Sequence, residues 1–459
     1  MKKDLSHTFY GVFGLGLSGL ATLSFLLDKK VKFIAYDDNQ ANLKKAEDLL
    51  NGNKDSLCDL DDDQWSQIEC LILSPGIPLY FPEPHKIVKI ARKYNIEIIC
   101  DIELFYRYFP NNIYIGITGT NGKSTTTALI GHILKANNIP CKVVGNIGIP
   151  ILSVSPEKDD IIVIEVSSYQ LDLIETVRFN AAILLNITKD HVERHGSLEN
   201  YTKTKYKIFQ TQTKVDSSII DIDHSLFRNT LESLMGSLKS RLIKITAGHR
   251  SKDGISILDG VLYQDGIKVD VIPQPDSLLG KHNQENIAAA YAAVLSTTNI
   301  TKEKILNSIF SFKGLPHRIE IVGKSGNLQF VNDSKATNFE STENALKIFD
   351  NIYWIAGGLP KEGGIEGIVP FKHKIIKAFL VGKGQEEFAS TLEKNSIPYT
   401  LCGVLDKAFE EAVSQASASS KASIILLSPA AASLDQWKNF EERGNYFASL
   451  AKQYIDAHL

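Results

Sequence analysis

A chain of 459 residues, 43% hydrophobic and 22% charged, has the composition of an ordinary globular protein and is long enough for about three domains, each able to bury its own core. Its formal net charge of -3 argues against broad electrostatic binding of nucleic acid but leaves room for local phosphate pockets. Cys58, Cys70, Cys100, Cys141 and Cys402 form no CxxC pair, no apolar run nears the roughly 18 residues of a membrane span, and Met1-Lys2-Lys3-Asp4 opens no signal peptide, so the expected setting is a reducing cytoplasm without a membrane partner.

In chain order, apolar runs of strand length alternate with helix-length amphipathic stretches. Tyr10 to Phe13, Val31 to Tyr36, Leu71 to Leu73 and Ile96 to Ile99 make a first set of expected strands. Ile113 to Ile117, Lys142 to Val144, Ile161 to Glu165 and Ala181 to Asn186 make a second, and Gln329 to Val331, Tyr353 to Ala356, Ala378 to Val381 and Ile424 to Leu427 a third. The alternation predicts mostly parallel sheets with crossover helices. Breaks at Phe109-Pro110-Asn111-Asn112 and at Phe312-Lys313-Gly314-Leu315-Pro316 divide the chain into expected domains 1–110, 111–313 and 314–459. Between about 213 and 277 the pattern is irregular, with turns at Asp253-Gly254 and Asp265-Gly266, and an antiparallel insertion is expected there. No internal repeat is visible.

The strongest motif is Gly116-Ile117-Thr118-Gly119-Thr120-Asn121-Gly122-Lys123-Ser124-Thr125, after one expected strand and before a helical pattern, Ala128 to Ala136. Strand, glycine loop and helix are the context of a phosphate loop. Gly119 and Gly122 permit a tight path in which backbone N–H groups converge on phosphate oxygens. The helix adds its positive end. Lys123 suits the β- and γ-phosphates, and the Ser124 hydroxyl suits Mg²⁺. The general pattern places its first glycine where this chain has Ile117.

Gly14-Leu15-Gly16-Leu17-Ser18-Gly19 also follows a strand and opens a helix, with Asp37 closing the next strand. That fingerprint admits NAD, or another nucleotide whose pyrophosphate docks on the same helix end. Ser74-Pro75-Gly76 follows a further strand and belongs to the same rim.

Glu165 ends one strand and His191 lies just past another, at the carboxyl edge shared with the phosphate loop; together they suit Mg²⁺. Between Ser197 and Gln210 a helical pattern puts Lys205 on one face with Tyr201, Ile208 and Phe209, whereas Lys203 shares a polar face with Glu199, Asn200 and Lys207. Lys205 is the lysine turned inward. Burial disfavours an ammonium, and a neutral amine can act as a nucleophile, for example toward carbon dioxide. A snorkelling lysine with its tip in water is the alternative.

In the third set, polar clusters again follow strands: Asn332 to Asn338, Gly357 to Lys361 and Ser428 to Asp435, with Pro316-His317-Arg318 before them. Arg318, Lys335 and Lys361 suit carboxylates and phosphates, and Asp333 suits ribose hydroxyls. These residues leave three rival classes open beside an ATP-dependent ligase: a phosphate-loop hydrolase or motor, an NAD-dependent dehydrogenase, and a non-catalytic nucleotide sensor.

Taken together, the motifs resemble the Mur ligases along nearly the whole chain. The resemblance rests on Thr118 to Thr125, Gly145-Asn146-Ile147-Gly148, Glu165 to Gln170, Asp190-His191, Tyr201 to Lys205, Leu279 to Asn283, Gly314 to Arg318, Asn332 to Asn338 and Ser428 to Gly444. It implies an α/β fold in three domains: an N-terminal Rossmann-like domain, a central P-loop ATPase-like domain with a mostly parallel sheet and an antiparallel insertion, and a C-terminal Rossmann-like domain. It implies a monomer that takes ATP, two Mg²⁺ ions and a UDP-linked sugar-peptide, with a carbamylated Lys205. Lys123, Lys205, His191 and Glu165 would be catalytic, and Ser124, Glu165, His191 and Lys205 would place the metal. Gly119, Thr120, Asn121, Gly122, Lys123, Ser124, Thr125, Asn286, Arg318 and Asp333 would hold ATP. Leu17, Ser18, Asp37, Ser74, Gly76 and Asn146 would hold the UDP substrate. The last segment, Ser433-Leu434-Asp435-Gln436 before an aromatic and Arg443-Gly444 after it, points to the member that adds D-glutamate to UDP-N-acetylmuramoyl-L-alanine, with Thr337, Lys361, Ser433, Leu434 and Phe440 around the amino acid. The runner-up within the family adds a different amino acid. Two residues depart from the family pattern: Ala431 stands where relatives often carry cysteine, and Asn39 where some carry a basic side chain.

Overall fold

The computed structural model describes residues 5–52, 55–145, 149–188, 192–223, 228–272, 275–360 and 363–458. It forms two compact units, one of residues 1–272 with 285–310, the other of residues 273–284 with 311–459.

The first unit holds two sheets. The smaller has β1 (Tyr10–Phe13), β2 (Phe33–Tyr36), β3 (Cys70–Leu73) and β4 (Glu97–Ile99), all parallel in the order β2-β1-β3-β4. The larger has β5 (Ile113–Thr118), β6 (Cys141–Gly145), β7 (Ile161–Glu165), β8 (Ala181–Leu184), β9 (Ser217–Asp221), β10 (Arg241–Thr246), β11 (Ile255–Leu258), β12 (Val261–Gln264) and β13 (Ile267–Val271). Its order is β13-β12-β11-β10-β9-β8-β5-β7-β6, parallel from β6 through β11, with β12 and β13 added as an antiparallel meander. The antiparallel insertion expected over 213–277 is therefore confined to its end. β9 and β10 continue the parallel sheet, joined across the helix Arg228–Ser237, and their short polar-flanked runs hid that continuity.

β7 is buried along its whole length, as its unbroken Ile-Ile-Val-Ile run requires of a strand covered on both faces. The chain runs out to β6 on one side of β5 and to β8 and beyond on the other. The carboxyl end of β5 is thus a switch point, the place where open α/β sheets take ligands.

One apolar core runs under both sheets, from Phe13 and Leu71 to Ile164 and Ile220. A polar clamp accompanies it. Glu103, fully buried in the helix Asp101–Tyr108, accepts hydrogen bonds from the backbone N–H groups of Glu175 (2.9 Å), Thr176 (2.9 Å) and Val177 (3.3 Å) and from the Thr176 hydroxyl. Arg107 pairs with the same carboxylate at 2.9 Å and with Glu97. No helix among the described residues is long and apolar enough to cross a membrane.

The second unit holds β14 (Glu320–Ser325), β15 (Leu328–Asn332), β16 (Ile352–Gly357), β17 (Ile375–Val381), β18 (Tyr399–Gly403) and β19 (Ser423–Leu427) in the order β14-β15-β19-β16-β17-β18. All pair in parallel except the edge strand β14, a hairpin partner of β15. The helix Phe440–Ala457 closes the chain, capped by the Asn439 side chain, which accepts from Glu442 N.

Candidate active site

The phosphate-loop motif occupies the turn between β5 and the helix Lys123–Ala136. Gly122 has φ +84°, and a Cβ there would stand 2.4 Å from Asn286 Oδ1; Gly119 has φ +154°, and its Cβ would press on Leu185 and Asn186. Only glycine fits both positions. Asn186, just past β8, fastens the loop: its Oδ1 accepts from Asn121 N at 2.8 Å, its Nδ2 donates to Asn121 O at 3.1 Å, and its carbonyl accepts from Thr120 N at 2.8 Å. The Thr126 hydroxyl donates to Asn286 Oδ1 at 3.1 Å, bringing the predicted nucleotide contact Asn286 against the loop.

Lys123 and Lys205 both point into this turn. Lys123 Nζ donates to Gly119 O and Thr120 O, each at 2.8 Å. Lys205, 1% exposed, donates to Gly119 O at 2.9 Å and lies 4.5 Å from the centre of the Tyr201 ring. The snorkelling alternative is overturned: the helix Leu198–Tyr206 turns Lys205 inward while Lys203 pairs with Glu199 in solvent. Tyr201 OH and Thr120 Oγ1 are 3.2 Å apart, so the same helix face touches the loop twice.

Glu165 is buried at the end of β7, in register with Ile117 on one side and Gly145 on the other. Ser124 is buried in the first helical turn. Their carboxylate and hydroxyl oxygens fit the hard-donor preference of Mg²⁺. His191 and Asn146, also expected here, lie outside the described residues. Thr125 follows Ser124 in the same first turn.

The glycine-rich turn before the helix Leu17–Asp28 also takes the expected form. Gly14 has φ +92°, and a Cβ on Gly19 would stand 1.9 Å from Gly14 O. Asp37 uses its carboxylate on the turn itself, accepting from Leu15 N, from Asn39 N at 2.7 Å and from Asn42 Nδ2 at 3.0 Å. A ribose hydroxyl would have to share those oxygens, which weakens the dinucleotide reading. Ser74 Oγ donates to Gly14 O at 2.6 Å, while Leu17 and Gly76 face solvent on the same rim and Ser18 lies half-buried there. Arg194, which the sequence reading passed over, reaches this rim from the segment after β8: it donates to Pro75 O and Ile77 O and stacks on Tyr169.

In the second unit, Asp333 is buried after β15 and accepts from Ser428 Oγ at 2.7 Å and Ile319 N at 3.2 Å. Burial pushes its carboxyl up to about 7, against the pull of those bonds and of Arg318. Thr337 is half-buried in the loop after β15, Ser433 is buried after β19, Leu434 is exposed, and Phe440 lies under the Lys335 ammonium at 3.7 Å. Lys361 lies outside the described residues. Arg443, the other residue the sequence reading left unassigned, runs beneath these loops with hydrogen bonds to Ser334 and Ala431. A buried arginine one turn into a helix has no local signal that separates it from a surface one.

A cavity of about 660 Å³ lies at the opposite, amino-terminal edge of the large sheet among Ile113, Ile139, Ile161 and Ile300, and carries none of these groups.

A strand, a glycine loop leading into a lysine, and a helix with a buried serine in its first turn define a P-loop nucleotide-binding protein. The Mur ligase middle-domain model matches residues 117–294, and the Mur ligase MurD-like N-terminal-domain model matches residues 9–100. The chain is 43% identical to a UDP-N-acetylmuramoylalanine--D-glutamate ligase of Rickettsia felis over 98% of its length and 99% of that protein's. It is 41% identical to one of Agrobacterium fabrum over 95% of its length and 93% of that protein's. The chain belongs to the Mur ligase family. Among solved structures it is similar in fold to a MurF ligase from Thermotoga maritima in complex with ADP, with TM-score 0.59 and 14% identity over the whole of both chains.

Proposed function

We propose that the protein is an ATP-dependent amide ligase that joins D-glutamate to the alanine carboxylate of UDP-N-acetylmuramoyl-L-alanine, acting as a cytoplasmic monomer. The observation that carries this reading is the convergence of Lys123, Lys205 and Glu165 on one phosphate loop, in a chain 43% identical over 98% of its length to a protein named for that reaction.

A carboxylate is a poor electrophile and an ammonium is no nucleophile. The alanine carboxylate attacks the γ-phosphorus of ATP, the bond to the bridging oxygen breaks, and ADP leaves. The free amine of glutamate then attacks the acyl carbon. The C–O bond to phosphate breaks with its electron pair, and the amine gives up its proton. Two anions must meet in the first step, and Lys123 offsets their repulsion. Magnesium, when bound, supplies further charge neutralisation, held by Ser124 and Glu165 with His191. Attack of neutral Lys205 Nζ on carbon dioxide, with loss of a proton, would make a carbamate and give the site a further anionic oxygen donor, suited to a second Mg²⁺.

In this reading residues 1–110 hold the uridine diphosphate sugar through Leu17, Ser18, Asp37, Ser74 and Gly76, with Asn146 on the sugar-peptide. Residues 111–313 hold ATP. Residues 314–459 hold the amino acid through Thr337, Lys361, Ser433, Leu434 and Phe440, with Arg318 and Asp333 on the nucleotide. A site whose donors are matched to two carboxylates leaves those donors unpaired when one carboxylate is missing, which gives large discrimination.

The test is phosphate release and product mass with UDP-N-acetylmuramoyl-L-alanine, ATP and one amino acid at a time. D-Glutamate is expected to exceed L-glutamate, glycine, L-alanine and L-lysine by at least about a hundredfold. Comparable turnover with L-lysine or L-alanine would assign the chain to a different amino-acid specificity within the family.

A further inference from the structure

Arg443 is a buried cation, 3% exposed, with no carboxylate in ion-pair contact among the described residues. Asp435 acts on it from a distance, while that aspartate accepts from Lys383 N. The guanidinium instead donates to neutral oxygens: Nε to Ser334 Oγ at 3.0 Å, and Nη2 to Ser334 O at 2.9 Å and Ala431 O at 3.2 Å. The Ser334 hydroxyl in turn donates to Phe440 O at 2.8 Å. A Cβ added to Gly358 would lie 3.2 Å from Nη1. One side chain therefore underlies the loops after β15, β16 and β19.

Burying an uncompensated cation is costly, and neutral carbonyls offset only part of that cost. Burial accordingly pulls the Arg443 pKa down to about 10. A group of this kind creates a positive field in the rim above it, and that rim carries Thr337, Ser433 and Phe440. Resting on the acceptor site proposed above, we infer that Arg443 is a positioning and specificity-determining residue: it fixes the three loops and supplies the charge that makes the rim prefer a dicarboxylate amino acid to its amide analogue. Two unit charges about 8 Å apart at an effective dielectric of about 20 change affinity by a factor on the order of thirty relative to a charge and a neutral group.

The experiment compares wild type, Arg443→Lys and Arg443→Met in product formation from D-glutamate and from D-glutamine, with melting temperatures alongside. Wild type is expected to favour D-glutamate. Arg443→Met should lose at least about tenfold of that preference through KM for D-glutamate, with KM for ATP unchanged within about threefold, while Arg443→Lys keeps most of it near pH 7. A buried lysine gives up its proton more readily than arginine, so the preference of Arg443→Lys should decline toward about pH 9 while that of wild type holds. That pH dependence needs only the lysine variant, so it stands if Arg443→Met does not fold. An unchanged preference in Arg443→Met, or a pH-independent preference in Arg443→Lys, would overturn the inference. Wild type that ignores D-glutamate altogether would instead remove the acceptor site on which it rests.

Discussion

The ammonium of Lys205 donates to the carbonyl of Gly119 at 2.9 Å across a sequence separation of 86 residues. A lysine on a helix and a glycine in the phosphate loop are thereby locked together, and the amine is held where ATP phosphates are expected. Replacing it should be felt in chemistry more than in folding. Lys205→Ala is expected to be nearly inactive and to be partly rescued by small carboxylic acids such as acetate, which can restore an anionic oxygen in the vacated space. Product formation with and without acetate checks this, and a variant of near wild-type rate would refute it.

Lys123 reaches back onto its own loop, donating to Gly119 O and Thr120 O. Lys123→Ala should abolish ligation yet leave binding of the uridine sugar to the Gly14–Gly19 rim largely intact, because the two sites are built on different sheets. Calorimetric titration with each ligand separates these effects. Loss of both binding events together would mean that the two sites are not independent.

Glu103 joins the small sheet to the large one through polar contacts that the apolar core cannot replace. Removing its carboxylate takes the acceptor from three backbone N–H groups, at Glu175, Thr176 and the buried Val177, and deprives Arg107 of one of its two carboxylate partners. Glu103→Ala is expected to cost about 3–5 kcal/mol, the penalty typical of breaking a buried charged network. Denaturant unfolding should show the loss, with the first sheet melting ahead of the second. A change below about 0.5 kcal/mol, ordinary for a surface residue, would contradict the clamp.

Asp333 gives the second unit a pH dependence of definite sign. Its folded carboxyl titrates near 7, above the ordinary value of 3.8, so between those values the folded state holds a proton that the unfolded state releases. Stability from this group is complete below about pH 4 and falls as the pH rises to about 7, by a few kcal/mol at most. His282 acts in the opposite sense: burial, with Lys347 and Arg318 nearby, pulls its pKa down to about 4, so its contribution grows as the pH rises from about 4 to 6.5. The stability of wild type relative to Asp333→Asn, which has no proton to lose there, should be greatest near pH 4 and fall as the pH rises to about 7. Parallel curves would count against the shift.

Much of this architecture was legible because its causes are local. Unbroken apolar runs such as Ile161–Glu165 become central strands, and Gly119 and Gly122 mark a turn that no side chain can enter. Helical spacing put Lys205 on an apolar face but left its tip free to reach water; the loop carbonyl of Gly119, a distant partner, holds it inside. What escaped was decided by distant partners. β14 joins its sheet only as the hairpin partner of β15, and its half-buried residues give no strong alternation. Glu103 and Arg107 look like a surface pair on an amphipathic helix until the loop at Glu175 arrives 72 residues later. Arg443 marks the last motif in the sequence, but its burial is decided by the distant loops that carry Ser334 and Ala431.

Among the described residues the meander that ends the large sheet leaves β13 with a neighbour on one side only, and its residues Ile267 and Val271 stand 72% and 52% exposed. A row of unpaired backbone groups flanked by bare aliphatic side chains is a template on which a second chain can build. Here Lys268 and Asp270 alternate with the aliphatic residues, and the pairing with β12 is irregular between Leu262 and Tyr263. Alternating charge and local distortion are the features by which edge strands resist accepting another strand. Those charges are screened as salt rises, so concentrated preparations of the protein should tolerate low ionic strength better than high, and replacing Lys268 and Asp270 with threonine should turn a quiet edge into a site of self-association.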